Sequence, residues 1–169
     1  PDAAPAPPVV AKAPAVSAPK GTGYILDMKF SVDGRTEKPL QIRAGAGCFS
    51  VDVAFRIDPT LPTPNIAFSL ETTSGVSVSS GSTMFDGVRP VIDAQGVGKV
   101  RLDFPNLPLM REKYRITIYL CCERVIHVYE QATHCAEIEV LHDGNEQGVV
   151  FLPHSWDAGP VVMAPARDA

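Results

Sequence analysis

The chain has 169 residues, 45% of them hydrophobic, with a formal net charge of −4 and a pI of about 5.5. That length suits one domain. The acidic balance argues against a nucleic-acid groove or an anionic membrane surface as partner, and no run approaches the ~18 apolar residues of a membrane-spanning helix.

The first twenty residues, PDAAPAPPVVAKAPAVSAPK, hold six prolines and seven alanines. Such a stretch favours extended polyproline-like conformations and cannot bury a core, so residues 1–22 read as a linker. They lack the apolar centre of a signal peptide, and the chain starts without Met. It reads as a domain cut from a longer protein, with part of its tether.

From residue 23 onward short alternating runs dominate. Tyr24–Val32 places Tyr24, Leu26, Met28, Phe30 and Val32 on one side, and Asp33-Gly34 marks a turn. Leu40 and Ile42 begin a short second strand. Gly45-Ala46-Gly47 interrupts it before Cys48–Ile57, where Phe49, Val51, Val53, Phe55 and Ile57 share a face. Asp58–Pro64 is a proline-rich loop. Asn65–Thr72 turns Ile66, Phe68 and Leu70 inward and Ser69 and Glu71 outward, and Ser74-Gly75 leads into a polar strand at Val76–Ser80 suited to a sheet edge. Thr83–Gly96 reads as loop, and Val97–Phe104 alternates again.

The strongest signal is Lys113–Cys122, KYRITIYLCC. Tyr114, Ile116, Ile118 and Leu120 fall on one side, and Arg115, Thr117, Tyr119 and Cys121 on the other. A strict period of two in β-branched and aromatic residues marks a half-buried strand. Two further strands are expected at Val125–Gln131 and Cys135–Leu141, and a last short one at Gly148–Leu152. Nine or ten short strands and no helix-length periodic segment predict an all-β, immunoglobulin-like antiparallel β-sandwich over residues 23–157, with a flexible tail at 158–169. An up-and-down barrel is the alternative. In the sandwich the strands at Cys48 and Val97 share one sheet, and those at Asn65, Lys113 and Cys135 share the other.

Catalytic signatures are absent: there is no phosphate loop, GxSxG elbow or HExxH pattern. No catalytic residue, cofactor or metal site is therefore expected. His127, His134, His142 and His154 lack ligand spacing and read as surface or turn residues. Glu137 and Glu139 point the same way, roughly 7 Å apart, as in glycosidases, but such pairs are ordinary on a solvent-facing strand. Cys48, Cys121, Cys122 and Cys135 show no metal-type spacing. Free thiols in a reducing compartment are expected, with a Cys48–Cys135 disulfide as the alternative. What remains is the outward face of the second sheet, where Ser69, Glu71, Arg115, Thr117 and Tyr119 line adjacent strands. An aromatic ring among hydroxyl, carboxylate and guanidinium groups is sugar-binding chemistry, since the ring stacks on a pyranose and polar groups bond its hydroxyls. A merely solvated sheet face has the same composition.

In order, YILDMKF, CFSVDVAFRI, IAFSLETTSG, FPNLPLMREKYRITIYL, HCAEIEVLHDG and GVVFLPHSW resemble the C-terminal carbohydrate-binding domain of the ATPase subunit of O-antigen polysaccharide ABC exporters (Wzt-type). The resemblance spans about Tyr24–Trp156. It departs at Arg111-Glu112-Lys113, where a glycine commonly precedes the tyrosine. It implies a non-catalytic domain that recognises the glycan before export, tethered behind a nucleotide-binding domain and working with a membrane transporter subunit at the cytoplasmic face of the bacterial inner membrane. It also implies a homodimer with exchanged C-terminal strands, burying Val149, Phe151 and Trp156 across the interface. A structural or adhesin-like dimerisation module is the alternative function. The glycan is expected on the face carrying Tyr119 as stacking platform, with Ser69, Glu71, Arg115 and Thr117 around it. The opposite sheet, with Asp52, Arg56 and Arg101, is the rival, and no ring is expected on it.

Overall fold

The computed structural model describes residues 19–156. The terminal tail, and the linker up to residue 18, lie outside that span. Eight strands are present: β1 (Gly23–Val32), β2 (Leu40–Arg43), β3 (Cys48–Ile57), β4 (Asn65–Thr72), β5 (Ser77–Ser82), β6 (Val97–Pro105), β7 (Lys113–Cys121) and β8 (Val128–Leu141). They form an all-β sandwich of a three-stranded sheet, β1-β3-β6, and a five-stranded sheet, β2-β8-β7-β4-β5. The expected partition of strands between sheets holds, and β5 is an edge as its polar sequence predicts.

The core lies between β3 and β7, the two strands with the longest unbroken alternation. Phe49, Val51, Val53 and Phe55 on one sheet and Tyr114, Ile116, Ile118 and Leu120 on the other are all buried and belong to one apolar cluster. Each such side chain contributes about 1.5–3 kcal/mol by leaving water. Phe68 of β4 meets Phe104 of β6 edge-on, with centroids 5.0 Å apart, which ties the two sheets together near their open edge. Gly81 makes room for Phe68, because a Cβ there would lie 2.8 Å from the ring.

Several expectations need correction. A bulge between Ile25 and Asp27 in the β1–β3 pairing shifts the alternation of β1. Ile25, Met28 and Phe30 therefore pack on the core, while Leu26 is exposed and Tyr24 stands opposite Arg56 on the outer face. One inserted residue flips every side chain before it to the other side. The two strands expected after β7 are one. Ile116 pairs Ala136 and Ile118 pairs Ala132, so Thr133, His134 and Cys135 bulge opposite Thr117. His134 takes a left-handed φ of 47° there, which a continuous strand can absorb without ending. The sandwich is not wholly antiparallel, because β2 pairs β8 in parallel register.

The expected strand at Gly148–Leu152 is absent. The segment makes one isolated bridge, Leu109 with Val150, and is held by Met110 N to Val149 O at 3.0 Å and Phe151 N to Pro108 O at 2.7 Å. Tyr114, fully buried at the start of β7, turns its hydroxyl to Met110 O at 2.9 Å and Val149 O at 3.1 Å. Burial pushes this phenol's pKa up, which keeps it a neutral donor. The side chain expected to begin the strongest strand thus also pins the C-terminal segment onto the turn before it.

Candidate functional site

The five-stranded sheet presents the predicted residues on its outer side. In the β4–β7 ladder Ser69 faces Thr117, Glu71 faces Arg115 and Ala67 faces Tyr119. All five named positions therefore share one face across two adjacent strands. The Tyr119 hydroxyl lies 3.2 Å from Ser69 Oγ, one rung away along β4. The ring therefore reaches from β7 toward β4.

The five are not equally available. Thr117 is 4% exposed, and its Oγ1 accepts the His134 backbone N–H at 3.0 Å, so it supports the bulge. Glu71 accepts from His134 Nε2 at 2.5 Å. Arg115 Nε lies 3.4 Å from Glu137, and Lys113 Nζ reaches the same carboxylate at 3.5 Å. Glu139, in turn, is met by Gln41 at 2.7 Å. The two carboxylates are thus each engaged in the sheet surface and do not face one another across a cleft. Gln131 stands opposite Tyr119 on the other flank and donates to Thr133 Oγ1 at 2.9 Å.

His134 and Gln131 were not singled out by sequence. Both depend on the bulge in β8, which sets their register against β7 and leaves no mark in an alternating pattern.

The three-stranded sheet has a different outer face. Arg101 is engaged on three sides: Nη1 with Asp52 at 3.1 Å, Nε with Asp103 at 3.0 Å and Nη2 with Ser50 Oγ at 3.0 Å. The Ser50 hydroxyl, then Arg101, hold the Asp103 carboxyl below the usual carboxylate range. The same two aspartates push Arg101 up. Beside this cluster a shallow hollow of about 380 Å³ is lined by Asp27, Lys29, Asp52, Ala54, Lys99 and Arg101. The expectation that this face has no ring is corrected by Tyr24, which the β1 bulge places beside Arg56 at one end of it.

All four cysteines are free thiols, and burial raises the pKa of Cys121 and Cys135. Among the described residues no group of three or more His, Cys, Asp or Glu side chains could hold a metal ion. Of the residues expected across a dimer interface, Val149 packs on the core. Phe151 and Trp156 are exposed, Trp156 to 90%. Their rings form a row with His154 between them, at centroid distances of 6.1 and 5.8 Å.

Comparison with known proteins places this fold. No curated protein matches the chain. Among solved structures, the C-terminal domain of Wzt superposes with a TM-score of 0.68 at 11% identity, covering 82% of this chain and 85% of that one. A Bifidobacterium dentium β-glucuronidase in complex with coumarin-3-O-glucuronide aligns with a TM-score of 0.42 at 12% identity, over 70% of this chain but 18% of its own. The profile of the Wzt C-terminal domain matches residues 18–152, which is most of the chain. The chain belongs to the Wzt C-terminal domain family.

Proposed function

We propose that this domain is the non-catalytic glycan-recognition module of an O-antigen polysaccharide ABC exporter, and that it binds the polysaccharide on the outer face of the five-stranded sheet. Family membership supports the exporter context. The observation that carries the site is the Tyr119 ring at mid-strand on the outer face, its hydroxyl 3.2 Å from Ser69 of β4. A tyrosine ring on a sheet surface offers its π face to the apolar side of a pyranose. Ser69 stands one rung along β4 from the ring, and Glu71 and Arg115 share the next rung, as directional partners for the hydroxyls of an extended glycan. In this reading the domain works at the cytoplasmic face of the bacterial inner membrane, joined to a nucleotide-binding domain and serving a membrane transporter subunit.

A homodimer completes the proposal. The C-terminal segment is held in place by few backbone bonds, yet exposes Val150, Phe151, Leu152 and Trp156 in sequence. Contiguous exposed apolar surface of this kind favours a protein partner. Exchange of the segment between two copies would keep its contacts to residues 108–110 and cover the rings, which is a low-cost route to a two-fold dimer.

The test of the site is titration of the protein with O-polysaccharide released by mild acid from the producing strain's lipopolysaccharide. Tyr119→Ala is expected to weaken binding about tenfold, equivalent to about 1.4 kcal/mol, with the fold intact because the side chain is outside the core. Arg56→Ala is expected to leave the affinity within about twofold. A silent Tyr119→Ala with a crippled Arg56→Ala moves the site to the three-stranded sheet.

A further inference from the structure

We infer that the five-stranded face selects uncharged sugars, and that Gln131 contacts the ligand there; this rests on the glycan-binding reading above. The charged groups nearest the ring are already engaged with one another. Arg115 and Lys113 both lie on Glu137, and Glu71 lies on His134. The rung that holds the ring is Ala67, Tyr119 and Gln131, with no charge in it. A sugar resting on Tyr119 therefore meets a methyl, a hydroxyl and an amide. The nearest charges, Glu71, Arg115 and Glu137, share a rung two removed from the ring and are already paired, so a carboxylate or phosphate on that sugar would meet no free cation beside the ring. Such a group would lose hydration with no compensating pair.

Gln131 supplies what a neutral pyranose needs. Its side chain is exposed, and one amide proton goes to Thr133 Oγ1. The second amide proton and the carbonyl oxygen remain for ligand, a donor beside an acceptor that matches two neighbouring sugar hydroxyls. The opposite sheet shows the contrasting case. Lys29 and Lys99 line its hollow and make no ion pair among the described residues, so an acidic ligand would find its cations there.

The experiment titrates the wild-type protein and the Gln131→Ala, Gln131→Glu and Tyr119→Ala variants with the same mild-acid O-polysaccharide, at about 50 mM and about 500 mM NaCl. Raising salt over this range shortens the Debye length to about 4 Å and so weakens charge-mediated binding while leaving stacking and neutral hydrogen bonds in place. The inference expects wild-type affinity to change less than about twofold with salt, with Gln131→Ala weakening binding about three- to tenfold and Gln131→Glu failing to restore it. A salt-induced loss of about fivefold or more overturns the inference, as does a silent Gln131→Ala. If Tyr119→Ala still weakens binding about tenfold in either case, the proposed face survives and its neutral selectivity does not. A silent Tyr119→Ala removes the face itself, and the inference with it.

Discussion

The two sheets of this sandwich share a core and differ in what they show to solvent. On the three-stranded sheet, Arg101 gathers Asp52, Asp103 and Ser50 into a charged cluster at the end of a shallow hollow. On the five-stranded sheet, ion pairs lie on the rungs to one side of a ring that is itself surrounded by uncharged groups. The hollow beside Arg101 and the ring at Tyr119 thus lie on opposite faces, while a second hollow, of about 530 Å³, sits at the Lys113 and Glu139 end of the five-stranded sheet. A polysaccharide is a long ligand that can lie on an open surface, so the absence of a hollow at Tyr119 does not disqualify that face. For a small molecule that must be enclosed, a hollow would be the better candidate.

The largest expected effect concerns the C-terminal segment, which is bonded to the turn that links the two sheets. Removing residues 148–169 strips the partner segment from Leu109 and Met110 and takes away Val149, Phe151 and Trp156. Loss of the dimer, or aggregation, is expected by light scattering, whereas a well-folded dimer of unchanged mass would refute strand exchange. Next comes Tyr114→Phe. Its hydroxyl is buried between two carbonyls, so its loss should cost about 1–2 kcal/mol in chemical denaturation. Faster proteolysis after residue 147 should accompany it, because the pin on Val149 is gone. Equal stability would mean that the segment is held by its backbone bonds alone.

Smaller effects belong to the three-stranded face. Arg101→Ala removes an ionic cluster whose members are about half exposed. Solvent-exposed pairs of this kind contribute little to stability, and less in salt. Glycan affinity should not move, and a strong loss would shift the site to this face. Smallest is a pH effect at Asp103. Its carboxyl is held low in the folded protein by Ser50 and Arg101, so its contribution is present above the unfolded value of about 3.9. It disappears as pH falls through the lower folded value. Asp103→Asn should therefore flatten the acid limb of the stability profile below about pH 4 and leave neutral-pH ligand binding unchanged.

The sequence carried the parts of this structure that repeat. Ile116, Ile118 and Leu120 announce their face because every second residue is apolar, and the same holds for Val51, Val53 and Phe55. That periodicity puts Ser69 and Glu71 on one face of β4 and Arg115, Thr117 and Tyr119 on one face of β7, while the sheet partition follows from the immunoglobulin-like layout that the strand pattern suggests. Single insertions are different. Nothing in YILDM marks Leu26 as the residue the bulge expels, and nothing in QATHCAE marks Thr133–Cys135 as three residues opposite one. Those registers are set by hydrogen bonds to strands distant in sequence, and they moved Tyr24 to the outer surface and placed His134 and Gln131 beside the ring. The parallel pairing of β2 with β8 joins residues 98 positions apart, as at Gln41 and Glu139. GVVFLP reads as a strand by composition, but its backbone answers a turn and a buried tyrosine instead of a sheet edge.

The most direct test of the binding face is backbone-amide NMR of the protein with the mild-acid O-polysaccharide added stepwise. The account predicts that shifts cluster on β4, β7 and β8, at Ala67, Ser69, Glu71, Arg115, Tyr119, Gln131 and His134, while Lys29, Asp52, Ala54, Lys99 and Arg101 stay still. Shifts confined to those last five residues, with the Tyr119 neighbourhood unmoved, would contradict it.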